Sequence, residues 1–233
     1  FMSTPEEVIK LMQDKEVAFV DFRFTDTLGR EHHMTVPAHS VDEEKLESGQ
    51  AFDGSSISGW KGIEASDMLL VPDTGSARMD PFREESTLIL TCDVVEPSDL
   101  KGYDRDPRSL AKRAEAYLKS SGLGDAAYFG PEPEFFIFDG ITWNDDASGC
   151  FVKIQSEEGS WSRGLELEGG NLGHRPSVKG GYVPVPPVDS FHDMRSEMCL
   201  LLDQQGVPVE VHHHEVAGPG QCEIGTKFST LVQ

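Results

Sequence analysis

The sequence has little positive charge and no long apolar run. Its 20 lysines and arginines are outnumbered by 41 aspartates and glutamates, which gives a formal net charge of −21. Nucleic acids and anionic membrane surfaces reward clustered lysine and arginine, so we expect neither as a partner. No apolar stretch approaches the ~18 residues of a membrane-spanning helix, and we expect no signal peptide. These features predict a cytoplasmic globular protein whose carboxylates mostly face solvent, while a few could bind divalent cations.

Cysteine is scarce and scattered along the chain. The four cysteines are Cys92, Cys150, Cys199 and Cys222, and no two of them form a CxxC pair. Without such a pair or a secretory signal, we expect reduced thiols, as in cytosolic proteins.

Local patterns in the first hundred residues predict a small α+β unit. Thr4 and Glu7 form a capping box around a proline, which indicates the start of a helix. Residues 17–37 alternate apolar and polar side chains around a turn, as in a β-hairpin. Residues 68–72 and 86–95 are further predicted strands.

The second half begins after a break at residues 96–107 that is rich in proline, aspartate and glycine. Asp106 then caps a predicted helix that ends at Gly122. Residues 139–187 are a long polar connection, too long for a plain loop in a compact domain. A second helix is predicted at about 190–205.

Two glutamates stand at the start of a predicted buried strand in YFGPEPEFFIFDG, residues 128–140. Glu132 and Glu134 are two residues apart, so their side chains point to the same side of a strand. Pro133 lacks an N–H and suits a strand start or an edge. The residues alone leave two interpretations open: an exposed strand end, or two oxygen ligands for divalent cations.

A second group of candidate ligands lies in EVHHHEVAGPGQCEIG. Strands predicted at 207–216 and 221–228 form a hairpin, which lets Glu215 and Glu223 approach each other on paired strands. A histidine triplet could lie at the surface or bind zinc. A site of glutamates without cysteine favours magnesium or manganese instead.

The alternation of a strand conflicts with a single pocket for this whole segment. Strict alternation places the side chains on opposite faces of the strand: Glu210, His212 and His214 on one face, His213 and Glu215 on the other. They cannot all serve one pocket unless the strand ends or bulges there.

Two loop segments complete the set of unusual sequences. FDGSSISGWKGIEASDM, residues 52–68, is rich in glycine and serine but matches neither a phosphate-binding P-loop nor a dinucleotide fingerprint. KGGYVPVPPVD, residues 179–189, is a loop stiffened by proline.

Taken together, these four segments resemble the bacterial type I glutamine synthetase family. The motifs occur in the family's order and at about its spacing, at residues 52–68, 130–136, 179–189 and 212–224. The segment GPGQCE departs slightly from the family pattern, and we assign no role to Cys222. The resemblance implies an α+β fold: a small β-grasp N-terminal domain at 2–103, followed by the first part of the catalytic α/β domain at 104–233.

The resemblance also implies an activity and its cofactors. The family joins ammonium to the γ-carboxylate of L-glutamate with ATP, through γ-glutamyl phosphate, and releases glutamine, ADP and phosphate. Two ions, Mg²⁺ or Mn²⁺, serve each site: one clamps the nucleotide phosphates, the other orients glutamate, and both neutralise charge during phosphoryl transfer.

Site residues follow from the same resemblance. One metal site is implied for Glu134, Glu215 and Glu223. Glu132 is implied to be a ligand of the other site, whose remaining partners lie farther along the family's chain. The residues that resemble nucleotide-binding ones are Glu210, His213, Thr226, Lys227 and Phe228.

The ammonium pocket is implied to be shared between subunits. Asp53 and Ser56 resemble the residues that bind and deprotonate ammonium in the active site of a neighbouring subunit. Tyr182 and Glu215 complete the pocket, and Trp60 is implied to form part of the intersubunit wall.

The resemblance further implies a homododecamer of two stacked six-membered rings. Because the family's subunits are longer than this sequence, we expect a truncated chain that is inactive alone. Two alternatives stay open: a related γ-glutamyl ligase that uses another amine, and a non-catalytic structural member of the fold. Asp53, Ser56 and Tyr182 favour ammonium, and the four candidate metal glutamates speak against a non-catalytic role.

Overall fold

A computed structural model describes residues 4–162 and 175–233, which form two compact units. The first unit comprises the chain up to Tyr128 together with Thr230–Gln233, and the second unit is Phe129–Ser229. Of the helices in the described ranges, not one has the length and apolar character needed to cross a membrane.

The first unit contains a mixed six-stranded sheet with helices. Its elements are α1 (Pro5–Asp14), β1 (Phe19–Thr25), β2 (Glu31–Pro37), α2 (Glu43–Ser48), β3 (Gln50–Asp53), β4 (Asp67–Pro72), β5 (Arg78–Met79), β6 (Thr87–Val95) and α3 (Pro107–Ser121). The strand order is β2-β1-β6-β4-β3, with β5 also paired to β6. Strands β1 and β6 are parallel, and the other pairs are antiparallel. This is the α+β unit that the sequence predicted, including its first hairpin.

The core of this unit lies between the sheet and α1. Strand β6 is buried on both faces along most of its length. Val8 and Met12, four residues apart on one side of α1, pack into the same core as the buried residues of β1 and β6. The predicted capping box is confirmed, because Glu7 N–H donates to the Thr4 hydroxyl and Thr4 N–H donates to the Glu7 carboxylate.

The remaining elements build the second unit and its ends. They are β7 (Tyr128–Phe129), β8 (Glu134–Phe136), β9 (Gly140–Asp146), β10 (Gly149–Gln155), α4 (His192–Gln204), β11 (Val209–His214), β12 (Gln221–Thr226) and β13 (Ser229–Thr230). Strands β11, β12 and β8 form a three-stranded antiparallel sheet with β12 at its centre. The predicted β11–β12 hairpin and the α4 helix are confirmed.

Strands β9 and β10 were not predicted. They form an antiparallel hairpin inside residues 139–187, which the sequence indicated only as a polar connection. Most residues of both strands are exposed, so neither strand shows the alternation of buried and polar residues that identifies a half-buried strand.

Candidate metal centre

The three-stranded sheet places acidic residues from distant segments in one row. His213 of β11 pairs with Glu223 of β12, and Glu223 pairs with Glu134 of β8. Directly paired residues project from the same face of a sheet. Glu215 follows the end of β11 two residues after His213 and so returns to that face. We call His213, Glu134, Glu215 and Glu223 the carboxylate cluster.

Distances within the cluster are those of a possible ion site. One ligand atom from each of His213, Glu215 and Glu223 lies within 4.8 Å of the others. His213 Nδ1 is 3.5 Å from Glu215 Oε2, and its Nε2 is 3.7 Å from Glu223 Oε2. The ring of Tyr182 meets the His213 ring edge to face, with centroids 5.6 Å apart. The histidine therefore lies between two carboxylates and below a tyrosine.

Gln221 holds the fourth member of the cluster. Its Nε2 donates to Glu134 Oε2 at 2.8 Å, while its Oε1 accepts from the N–H of Ala217 at 2.6 Å. The side chain of Gln221 thus ties Glu134 to the turn of the hairpin. The sequence did not indicate this role, because a glutamine at the start of a strand carries no signal of its partner on another strand.

The electrostatics of the cluster suit a cation. Burial raises the pKa of Glu223, the nearby Glu215 and Glu134 add to the rise, and His213 opposes it. Close carboxylates repel unless a counterion offsets them. Their oxygens, with no thiol in the cluster, are ligands that Mg²⁺ or Mn²⁺ prefers. The residues present therefore fit a hard divalent cation.

Glu132 lies beside the cluster on the same strand edge. The carbonyls of Pro131 and Pro133 accept from the N–H groups of Thr226 and Ile224, so the ladder with β12 extends past Glu134. The prolines cannot donate in return. This explains why regular strand begins only at Glu134, as Pro133 predicted. Glu132 is exposed, and its place in a second metal site stays a prediction.

The conflict of alternation is resolved by a bulge and a strand end. The pairing of β11 shifts register between Val209 and Val211, so Glu210 lies in a bulge, and the strand ends at His214. His212 points away from the cluster and contacts the side chains of Arg195 and Ser196. His213 alone of the triplet joins the carboxylates, and its role in binding the nucleotide stays a prediction.

The other predicted nucleotide residues gather at the open end of the hairpin. Thr226 ends β12 and pairs with Val209, next to the bulge at Glu210. Its hydroxyl donates to the Pro131 carbonyl at 3.2 Å. Lys227 and Phe228 follow directly and are exposed. Their nucleotide-binding role stays a prediction.

The predicted ammonium residues of the first unit form a local turn. The Asp53 carboxylate accepts from the Ser55 hydroxyl at 2.6 Å, the Ser55 N–H at 2.8 Å and the Ser56 hydroxyl at 3.0 Å. These hydrogen bonds, those of Ser55 first, lower the pKa of Asp53. Asp53 and Ser56 are exposed.

Trp60 does not form a surface wall. It is only 5% exposed and belongs to the core of the first unit, against Phe24 and Tyr103. Its indole has little area left to bury against another subunit. The expectation for Trp60 was therefore wrong, because its aromatic neighbours lie far away in the sequence, Phe24 in β1 and Tyr103 in the segment before α3.

Two family models match the chain. The model described as "Glutamine synthetase, beta-Grasp domain" covers residues 16–97, and "Glutamine synthetase, catalytic domain" covers 104–233. These matches confirm the predicted fold class, with a β-grasp domain followed by part of the catalytic domain.

The chain is also similar to named relatives and to a solved structure. The chain is 72% identical over 227 residues to a 3-hydroxylaminophenol mutase of Cupriavidus pinatubonensis, covering 97% of the chain and 48% of the relative. It is 60% identical over 230 residues to a glutamine synthetase of Methylococcus capsulatus, covering 99% and 49%. A Plasmodium falciparum glutamine synthetase solved by cryo-EM superposes with a TM-score of 0.85 at 26% identity, covering 98% of this chain and 45% of that one.

The chain spans about half the length of the curated relatives it matches, 48% and 49% of the two above. The two family models together cover nearly all of it, from residue 16 to residue 233 with a short gap. The chain belongs to the glutamine synthetase family.

Proposed function

We propose that this chain is part of a ligase that joins ammonium to the γ-carboxylate of L-glutamate at the expense of ATP. The reaction passes through γ-glutamyl phosphate and gives glutamine, ADP and phosphate. The observation that carries the proposal is the carboxylate cluster, in which three glutamates from three segments lie on one face of a sheet. Ligand atoms of two of them, Glu215 and Glu223, lie with one of His213 within 4.8 Å of one another. Members of the family named glutamine synthetase support it.

The cluster would hold one divalent ion and Glu132 would bind a second. Glu134, Glu215 and Glu223 supply oxygen ligands to the first ion, Mg²⁺ or Mn²⁺. When bound, the ions neutralise the phosphates and orient glutamate for phosphoryl transfer. The predicted nucleotide-binding residues would hold ATP: Glu210, Thr226, Lys227 and Phe228 at the open end of the hairpin, and His213 beside the first ion.

Ammonium would be held by carboxylates and a phenol. Tyr182 and Glu215 lie on one side, and Asp53 and Ser56 of a neighbouring subunit on the other. The Asp53 carboxylate, like any exposed aspartate, is ionised at neutral pH, so it can attract the cation. The shared pocket requires a homo-oligomer, which we propose is a cytoplasmic homododecamer with domains at 2–103 and 104–233.

Manganese binding to the chain tests the metal centre directly. We expect Mn²⁺ to bind the wild-type chain, and the loss of the EPR signal of free Mn²⁺ measures this binding. Glu215→Gln and Glu223→Gln should each weaken binding by at least about tenfold, because each removes an anionic ligand. Glu197→Gln, at an exposed position of α4, is the matched control and should bind as wild type. Equal binding by all four proteins would overturn the metal centre.

A second candidate function rests on the 72% identity to a 3-hydroxylaminophenol mutase. A mutase rearranges one substrate and therefore needs neither ATP nor ammonium. The two reactions separate in assays of the polypeptide at the full length of its relatives. Conversion of 3-hydroxylaminophenol without ATP would favour the mutase, whereas glutamine formation that depends on ATP and ammonium would favour the ligase.

A further inference from the structure

Glu158 is a buried carboxylate that no proposed function yet uses. It is 1% exposed, and four donors surround it. Oε2 accepts from Nε2 of His214 and from the N–H of Gly220, both at 2.7 Å. Oε1 accepts from the N–H of Ser190 at 3.0 Å and from its hydroxyl at 2.9 Å. A carboxylate this buried is tolerated only with such partners, so it fixes three segments to one another.

His214 extends this link to the loop formed by residues 179–183. Its ring is fully buried on the face of β11 away from the carboxylate cluster. Nδ1 lies 2.7 Å from the carbonyl oxygen of Gly181 and 3.0 Å from that of Glu215. Carbonyl oxygens only accept, so Nδ1 carries a proton and donates. The other ring nitrogen, Nε2, is hydrogen-bonded to Glu158, so the His214 ring connects Glu158 to the loop.

The loop needs such an anchor. Two of its non-glycine residues adopt positive φ, Lys179 at 64° and Val183 at 48°. Positive φ is unfavourable for a residue with a side chain and persists only where surrounding contacts impose it. At Gly181 an added Cβ would lie 2.7 Å from His214 Cε1 and 2.8 Å from the Glu215 oxygen. The loop is therefore pressed onto the His214 ring, which leaves no room for a side chain.

This loop carries Tyr182 to the carboxylate cluster, where its ring meets that of His213. We propose that Glu158 is a positioning residue. Acting through His214 and Gly181, it holds Tyr182 against His213. Through Gly220, it fixes the turn of the β11–β12 hairpin. Its value for catalysis rests on the proposed function, whereas the mechanical link does not.

The variant Glu158→Gln tests the link in metal-free protein. In either orientation of the amide, its NH₂ group faces a backbone N–H, that of Gly220 or that of Ser190. Two donors cannot hydrogen-bond to each other, so the contacts around residue 158 should open. With the four tyrosines labelled as 3-fluorotyrosine, and Tyr182→Phe used for assignment, we expect the Tyr182 ¹⁹F signal to move to the position of the free amino acid. Glu157→Gln, the same change one residue earlier, should leave it in place.

A second variant guards against misfolding of the first. Gly181→Ala leaves Glu158 unchanged but drives the loop from His214, so it should move the Tyr182 signal in the same way. Circular dichroism establishes that each variant is folded. An unmoved Tyr182 signal in folded Glu158→Gln or folded Gly181→Ala would overturn the proposal.

Manganese titration separates this proposal from the proposed function. If wild type binds Mn²⁺, we expect the ion to broaden its Tyr182 signal, and Glu158→Gln to bind about tenfold more weakly with less broadening. If wild type binds none, the metal centre fails while the metal-free Tyr182 shift still supports the link. The positioning role would be overturned if Glu158→Gln bound Mn²⁺ as tightly as wild type and showed the same broadening of the Tyr182 signal.

Discussion

Gln221 shows how one neutral side chain can organise a charged centre. Its amide donates to the Glu134 carboxylate and accepts from the Ala217 N–H, so strand β8 is joined to the turn of the hairpin. Partners of this kind orient metal ligands, and their loss commonly weakens binding by about 10–100-fold.

We predict that Gln221→Leu lowers Mn²⁺ affinity by about tenfold, because Glu134 loses its donor and the turn loses an acceptor. Isothermal titration calorimetry measures the change. Gln204→Leu, at the exposed end of α4, is the control and should leave the affinity as it is. Unchanged affinity in Gln221→Leu would show that Glu134 needs no help to reach the ion.

At the scale of elements, helix α3 begins on a cap that also supports the sheet. The Asp106 carboxylate accepts from the N–H and the hydroxyl of Ser109, at 3.0 and 2.6 Å, and from the N–H of Val94 in β6 at 3.4 Å. By contrast, Asp42 caps α2 at an exposed position with one bond to Lys45 N–H.

We expect Asp106→Ala to lower the free energy of unfolding by about 2–4 kcal/mol, since it removes a helix cap and leaves a buried N–H without its partner. Asp42→Ala should cost about 1 kcal/mol, as an exposed cap does. Urea denaturation followed by circular dichroism gives both values. Similar losses for the two variants would contradict the double role of Asp106.

At the scale of the whole molecule, the proposed function would draw unequally on this chain for its two metal sites. The chain would supply the carboxylate cluster for one ion but only Glu132 for the second. It also spans about half the length of its curated relatives, 48% and 49% of the two described above. Phosphoryl transfer depends on charge neutralisation from both ions.

We therefore predict that the 233-residue chain forms no glutamine by itself from glutamate, ammonium and Mg²⁺-ATP, although it binds Mn²⁺. Chromatographic detection of glutamine provides the measurement. Glutamine that accumulates only when ATP and ammonium are both present would refute the prediction.

Short-range features could be predicted from the sequence. The caps at Thr4 and Asp106 and the approach of Glu215 to Glu223 depend on neighbours within a few residues, and backbone periodicity fixes their geometry. The hairpin β9–β10 escaped prediction because its strands are largely exposed, so burial imposed no alternation on them.

By itself, therefore, the sequence determined the helices α1, α3 and α4, the two hairpins β1–β2 and β11–β12, the acidic character and, through its motifs, the family. Glu132 and Glu134 remained ambiguous in the sequence until β8 paired with β12, which places Glu134 next to Gln221, 87 residues away. Glu158 and His214, which form a hydrogen bond, are 56 residues apart, and the sequence around either residue does not indicate the other. Only the tertiary structure could decide these contacts, because a buried polar group takes its partner from whichever segment packs against it.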